Sequence, residues 1–215
     1  MSKINAFTKQ KGWIEVICGP MFAGKSEELL RRINLLKYAD VKYLLFKPTV
    51  DTRTNKSVQS RDGRNQNAIT VDKARDIIEH INAKYDNYQV IAIDEVQFFD
   101  EEIAEVCAYL ANNKYIVIAA GLDLDFAGDP FPGMTKLLAY AEEVTKLSAI
   151  CTNCGAPANM TEKITKNKIA ADYMSGKIEV GDNDMYAARC RHCHDVSNKP
   201  DYCNFPKIKK AKADF

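Results

Sequence analysis

The sequence predicts an α/β protein: a parallel sheet flanked by helices, followed by a small cysteine-bearing module. Three observations predict it. Short apolar runs alternate with helical periodicity through residue 148. A glycine-rich segment ending in Gly24-Lys25-Ser26 follows the first of those runs. Two C-x-x-C pairs then appear where the helical periodicity stops.

The elements follow in order. Residues 14–18 (IEVIC) form an apolar run ending at Gly19 and read as the first strand. Residues 26–38 read as a helix, with Leu29, Leu30, Ile33, Leu35 and Leu36 supplying its apolar face. A second strand is expected at 42–47 (KYLLFK), stopped by Pro48. Residues 72–84 read as a helix with Asp72 as N-cap and Ile77, Ile78 and Ile81 on one face. The third strand is 89–94 (QVIAID), a helix covers about 101–112, and the fourth strand is 115–120 (YIVIAA). A helix at 134–142 leads to a last strand at 143–148. Strands apolar on both faces belong to a sheet covered on both sides. Strand order is not readable from the runs.

Two stretches break the alternation. Residues 49–70 are polar and long for an ordinary connection, and loops of this length tend to be functional or mobile. Residues 149–203 gain cysteines and read as a separate module after a domain of residues 1–148. Residues 204–215 (PKIKKAKADF with its two preceding residues) read as a basic, flexible tail.

Composition narrows the classes. The chain has 215 residues, 46% hydrophobic and 27% charged, which excludes disorder as its main state. With 30 basic and 29 acidic residues the net charge is +1, unlike the strongly basic footprint of a nucleic-acid or membrane-surface binder. The longest apolar run, Ile116–Leu122, is too short to span a bilayer, and the polar start MSKINAFTKQKGW lacks the apolar core of a signal peptide. A cytoplasmic protein is expected. Seven cysteines then read as metal ligands or free thiols, not disulfides.

Gly19-Pro20-Met21-Phe22-Ala23-Gly24-Lys25-Ser26 satisfies G-x-x-x-x-G-K-[ST] between a predicted strand and a predicted helix. Glycines let the backbone curl so that successive N–H groups face phosphate oxygens, and the helix start adds unpaired amides and a positive dipole end. Lys25 is expected to reach the β- and γ-phosphates, and the Ser26 hydroxyl to ligate Mg²⁺. The pattern implies a nucleoside triphosphate without saying what is done with it.

Strand 89–94 ends in Asp94, followed by Glu95. An Asp at this place holds the magnesium in phosphate-loop enzymes. Adjacent side chains on an extended backbone diverge, so Glu95 is free to serve another bound molecule. It could accept a proton from water or from a substrate hydroxyl, or simply cap the next helix. Gln97, Phe98 and Phe99 follow, and the fourth strand runs into a loop bearing Phe126 and Phe131. Such aromatics could sandwich a flat ring at the sheet edge or pack as core.

Cys151-x-x-Cys154 and Cys190-x-x-Cys193 are separated by 35 residues. Two such knuckles complete a tetrahedral thiolate set for structural Zn²⁺, with an extra loop inserted between them. His192 and His194 flank the second knuckle, and either could replace Cys193. Cys203 is a spare thiol.

The phosphate loop, IDEVQFF, the DTR tripeptide at 51–53, the Phe126–Phe131 loop and the cysteine knuckles together resemble thymidine kinases of the tetrameric, zinc-containing type. The resemblance covers about residues 12–203. It implies transfer of the γ-phosphate of ATP to the 5′-hydroxyl of thymidine, with deoxyuridine as a second substrate. It implies Glu95 as the base, with Lys25, Ser26, Asp94 and Gln97 serving the triphosphate and magnesium. Asp51 and Arg53 match a pair near the phosphates. Met21, Phe98, Leu122, Phe126 and Phe131 match the walls of a thymine pocket. Thr161, Tyr186 and the segment Ile178, Glu179, Val180, Gly181 match a lasso loop that closes over the nucleoside. A homotetramer, feedback inhibition by thymidine triphosphate (dTTP), and no nucleic-acid or membrane partner are also implied. Arg61 stands where members often carry a histidine. A zinc-bearing hydrolase acting on a macromolecule is the competing reading; it would turn over ATP without a nucleoside.

Overall fold

The computed structural model describes residues 12–51, 57–59, 65–83, 87–164, 170–174 and 185–200. Arg53, Arg61, Ile178, Glu179, Val180, Gly181, Cys203 and the tail expected at 204–215 lie outside them.

Six strands form one parallel sheet: β1 (Trp13–Cys18), β2 (Tyr43–Pro48), β5 (Ile69–Val71), β6 (Val90–Ile93), β7 (Ile116–Gly121) and β8 (Glu143–Lys146), in the spatial order β5-β2-β6-β7-β1-β8. β1 lies between β7 and β8, with Val16 opposite Ala119 and Val144. β6 lies between β2 and β7, with Ile93 opposite Phe46 and Ala119. All the strands therefore end at the same edge, which gathers Gly19, Asp94 and Leu122 into one region.

Helices cover both faces. α1 (Lys25–Tyr38) buries Leu29, Leu30, Ile33 and Leu36 against Ile17, Leu45, Ala92 and Ile118. Leu35, expected on this face, is exposed; it falls outside the stripe set by Leu29, Ile33 and Leu36. On the other face α2 (Ala74–Ala83), α3 (Ile103–Asn112) and α4 (Pro132–Tyr140) pack against Val16, Phe46, Ile91 and Val117. Alternate residues of each strand serve opposite faces, as the pleat requires.

The elements read from periodicity occur with small shifts. α2 begins two residues later than expected, so Asp72 is not its cap. Instead the Asp76 carboxylate accepts the backbone N–H of Lys73 at 2.9 Å and of Asp72 at 3.2 Å. α4 starts earlier, at Pro132, whose fixed φ suits a first helical turn. The stretch 49–70 is not only loop. β3 (Ser57–Gln59) pairs antiparallel with β4 (Asn65–Asn67), and β5 adds to the sheet edge beside β2. Val58 and Ala68 pay for this arm by packing into the α1 face. Their isolated apolarity in a polar stretch gave periodicity nothing to register.

After β8 come four short strands: β9 (Ala149–Ile150) with β10 (Pro157–Ala158), and β11 (Met160–Lys163) with β12 (Tyr186–Arg189), each pair antiparallel. Among the described residues no helix is long and apolar enough to cross a membrane.

A polar bracket ties β1, α1 and β8. Arg32 pairs with Glu15 on β1 and, at 2.8 Å, with Glu28 one helical turn back; it also donates to the Thr145 hydroxyl at 2.8 Å. Trp13 donates its indole N–H to the other Glu15 oxygen at 2.9 Å. Arg32→Ala strands the Glu15 carboxylate, so a loss of about 3 kcal/mol in urea unfolding is expected. Hydrogen bonds from Arg31 first, then Arg32, hold the Glu28 carboxyl down to about 2 against its own partial burial. A depressed acid stabilises the fold above its ordinary range near 4.5 and loses that contribution as pH falls toward 2. Acid titration of Glu28→Gln should accordingly show a lower melting midpoint than the parent at pH 7 and convergence with it near pH 2.

Candidate active site and metal centre

The phosphate loop leaves β1 at Gly19 and enters α1 at Lys25. Gly19 has φ +140°, and a Cβ there would lie 2.3 Å from the Leu147 carbonyl oxygen, so only glycine fits. Leu147 returns the contact by donating its N–H to the Cys18 carbonyl at 2.8 Å. Gly24, at φ +81°, ends the curl, and the Glu28 N–H bonds to its carbonyl at 2.9 Å to start the helix. The Lys25 ammonium turns back over the loop and donates to the Pro20 carbonyl at 2.8 Å. Pro20 is buried, while Met21, Phe22 and Ala23 are half-buried at the crest. Phe22 sits at φ +70°, an unusual conformation for a residue with a side chain.

Asp94 follows β6 and is buried. Its N–H bonds to the Phe46 carbonyl at 2.9 Å, and its Oδ1 accepts the Glu95 N–H at 3.0 Å. Burial, and then the neighbouring Glu95 charge, push its carboxyl up to about 7 against a hydrogen bond from Ser26. Ser26 thus lowers the Asp94 carboxyl, and the two offer oxygen ligands beside the phosphate loop. A carboxylate raised by burial is the kind of group a hard cation stabilises.

Glu95 is half-buried and also left-handed, at φ +52°. That turn separates its side chain from the strand and starts a 3₁₀ helix, Val96–Phe98. Gln97 is buried; its amide donates to Glu95 Oε2 at 2.6 Å and accepts the Leu122 N–H at 2.9 Å. Its amide thereby joins Glu95 to the end of β7.

Asp51 is buried against the ammonium of Lys47, 3.0 Å away; Lys47 itself is 1% exposed and also donates to the Ser57 carbonyl at 3.3 Å. Lys47 escaped the sequence reading. Its signal was a charge inside an apolar strand run, the placement of a paired buried ion.

The aromatic candidates divide. Phe126 and Tyr186 share a buried cluster with Ala127, Ala171 and Tyr173, against which Met21 and Phe22 pack. Thr161 is buried on β11 and accepts the Met21 N–H at 2.9 Å, joining the phosphate loop to the later module. Lys163, a further residue missed from sequence, places its ammonium 5.6 Å from the Phe126 ring centroid. Phe131 instead packs against the main core at the start of α4. Phe98 and Leu122 are half-buried at the sheet edge.

The loop bearing Phe126 is held from outside. Its Asp125 carboxylate accepts the N–H groups of Ala127 and Asp129, both at 2.9 Å. Tyr173 donates to Asp129 at 3.0 Å, as does Lys199 at the same distance. His194 Nε2 lies 2.9 Å from the Phe126 carbonyl, which can only accept, so the imidazole donates there.

Cys151, Cys154, Cys190 and Cys193 bring their sulfurs within 4.8 Å of one another. The Cys154 and Cys190 sulfurs are 3.6 Å apart. A tetrahedron of Zn–S bonds near 2.3 Å needs about 3.8 Å between sulfurs, so the four thiols fit such an ion. The group of converging ligand atoms includes the Cys193 sulfur and not His194. Backbone N–H groups of Cys190, then Asn153 and Cys154, lower the Cys151 thiol to about 6. The Ala156 N–H pulls the Cys154 thiol down, but hydrogen bonds with Cys193, Cys151 and Cys190 outweigh it and raise the thiol to about 12. Phe22 and Ala23 of the phosphate loop pack on this same cysteine cluster.

A glycine-rich phosphate cradle, two carboxylates at the end of a neighbouring parallel strand and a four-thiol module define a phosphate-loop nucleotide-binding protein with a metal-type appendage. Comparison with known proteins narrows the class. The family model for thymidine kinase matches residues 12–194. A thymidine kinase of Ureaplasma parvum is 49% identical over 202 residues, 93% of this chain and 90% of that protein. One from Ureaplasma urealyticum is 48% identical over the same shares, and one from Mycoplasmoides gallisepticum is 49% identical over 93% of this chain and 88% of its own length. The chain belongs to the thymidine kinase family.

Elemental analysis of protein purified without chelators should find one zinc per chain. Cys154→Ser should lower that content at least several-fold and loosen the segment between the knuckles, read as faster amide exchange in residues 155–189.

Proposed function

We propose that this enzyme transfers the γ-phosphoryl group of ATP to the 5′-hydroxyl of thymidine, and of deoxyuridine. The observation that carries the reading is a pair of adjacent carboxylates after β6 with different partners: Asp94 is buried and accepts the Glu95 N–H, while Glu95, left-handed at φ +52°, accepts the Gln97 amide.

The backbone N–H groups of residues 19–26 and the Lys25 ammonium bind the phosphates and offset their charge. Ser26 and Asp94 would hold Mg²⁺, which would supply positive charge to offset that of the triphosphate. Glu95 takes the proton of the 5′-hydroxyl as that oxygen attacks phosphorus. Asp51 anchors the segment leading to Arg53, which steadies charge on the transferring group. Thymine lies against Phe126 with Met21, Phe98, Leu122, Phe131 and Tyr186 around it, and Thr161 beside it. Residues 178–181 close over the base through backbone groups. Cys151, Cys154, Cys190 and Cys193 would hold a structural zinc and so tie down both ends of the loop 155–189, whose closure would keep water from the γ-phosphate. A cytoplasmic homotetramer inhibited by dTTP completes the reading, on the strength of the family resemblance. So do the boundaries of the two units, residues 1–148 and 149–203, followed by the tail.

The assay is phosphate transfer from magnesium ATP to a panel of deoxynucleosides. Thymidine and deoxyuridine should yield 5′-monophosphates, and ATP turnover without nucleoside should be negligible. A panel left wholly unphosphorylated would sink the proposal. Glu95→Gln should reduce kcat by about 10²–10⁴-fold with thymidine binding nearly unchanged.

A further inference from the structure

We propose that Gln97 is a positioning residue for the proton acceptor: its side-chain amide holds the Glu95 carboxylate in register with the nucleoside-facing end of β7. This deepens the reading of Glu95 as base and rests on it.

The amide has one consistent orientation. The Leu122 N–H can only donate, so the atom facing it at 2.9 Å is the carbonyl Oε1. The Nε2 group must then face Glu95, where it donates to Oε2 at 2.6 Å. The backbone on one side thus dictates the polarity presented on the other.

The space around Gln97 is equally restrictive. A Cβ at Gly121 would lie 2.6 Å from Gln97 Oε1, 2.6 Å from Val96 Cγ2 and 3.0 Å from Met134 Cε. Gly121 is the last residue of β7, and its missing side chain is what lets the amide reach the Leu122 N–H. Gln97 is 6% exposed, so water does not substitute readily for either bond. Glu95 needs such a guide. Its left-handed backbone throws the side chain off the strand, so its angle toward a substrate is set by the groups that bond it, of which the buried Gln97 amide is one.

The link also spans two parts of the site. Leu122 belongs to the set expected around the base, whereas Glu95 meets the sugar. One buried amide therefore sets the distance between the place where the base is held and the place where the proton leaves.

The test is Gln97→Met, which keeps length and apolar volume but loses both bonds. Steady-state kinetics with thymidine and magnesium ATP should show kcat lowered about 100-fold, thymidine KM raised no more than several-fold, and ATP affinity unchanged. In a Glu95→Gln background the same change should lower kcat by less than about threefold, because there is no longer a carboxylate to orient. Multiplicative losses in the double variant, or a Gln97→Met enzyme within threefold of the parent, would overturn the proposal. Should Gln97→Met not fold, Gln97→Asn serves: it keeps an amide too short to span both partners, and the same pair of outcomes decides. Near-normal turnover of Glu95→Gln alone would instead remove Glu95 as base, a result separable from an ineffective Gln97.

Discussion

The site depends on how closely the phosphate loop is seated. Gly19 passes so near the Leu147 carbonyl that no side chain fits between them. On its far side the loop gives the Met21 N–H to Thr161 and rests Phe22 and Ala23 on the cysteine cluster. A loop whose amides must face phosphate cannot satisfy those amides internally, and so cannot stabilise itself. It is held from β8 on one side and from the late module on the other. That makes the module a support of the phosphate loop.

The same logic extends to the acceptor side. The Phe126 loop closes on Asp125 and is fastened from outside by His194, Tyr173 and Lys199. His194 follows directly after the second cysteine knuckle. A metal that fixes Cys193 would thereby fix the neighbouring donor to the Phe126 carbonyl, so the reach of the thiol cluster runs through backbone hydrogen bonds rather than through chemistry at the ion. The two positive-φ residues with side chains at the site, Phe22 and Glu95, lie on the two segments that must turn sharply out of the sheet edge. Left-handed backbone is unfavourable for both, and surrounding packing holds them there.

Buried charge follows a pattern too. Lys47 with Asp51, Arg32 with Glu15, and Arg189 with Glu162 each place an ion pair where a strand or its following loop needs orientation. Such pairs are weak sources of stability but strict about geometry, because either member alone is expensive to bury. Asp94 is the exception in kind. Burial and the adjacent Glu95, of the same sign, raise its carboxyl.

Local sequence determined the alternating elements, the phosphate cradle, the acidic pair after β6 and the metal-type knuckles. Each rests on contacts between near neighbours or on a period that repeats within one element. The strand order, the β3–β4 arm and the edge strand β5 were not legible, because pairing partners lie far apart in sequence and the arm carries too few apolar residues to show a period. Nor were the roles of Lys47, Lys163 and the Gln97 amide, or the hydrogen bond of His194 to the Phe126 carbonyl. A side chain's partner is chosen by which strand ends meet at the sheet edge, and that meeting exists only once parallel strands from distant parts of the chain have assembled.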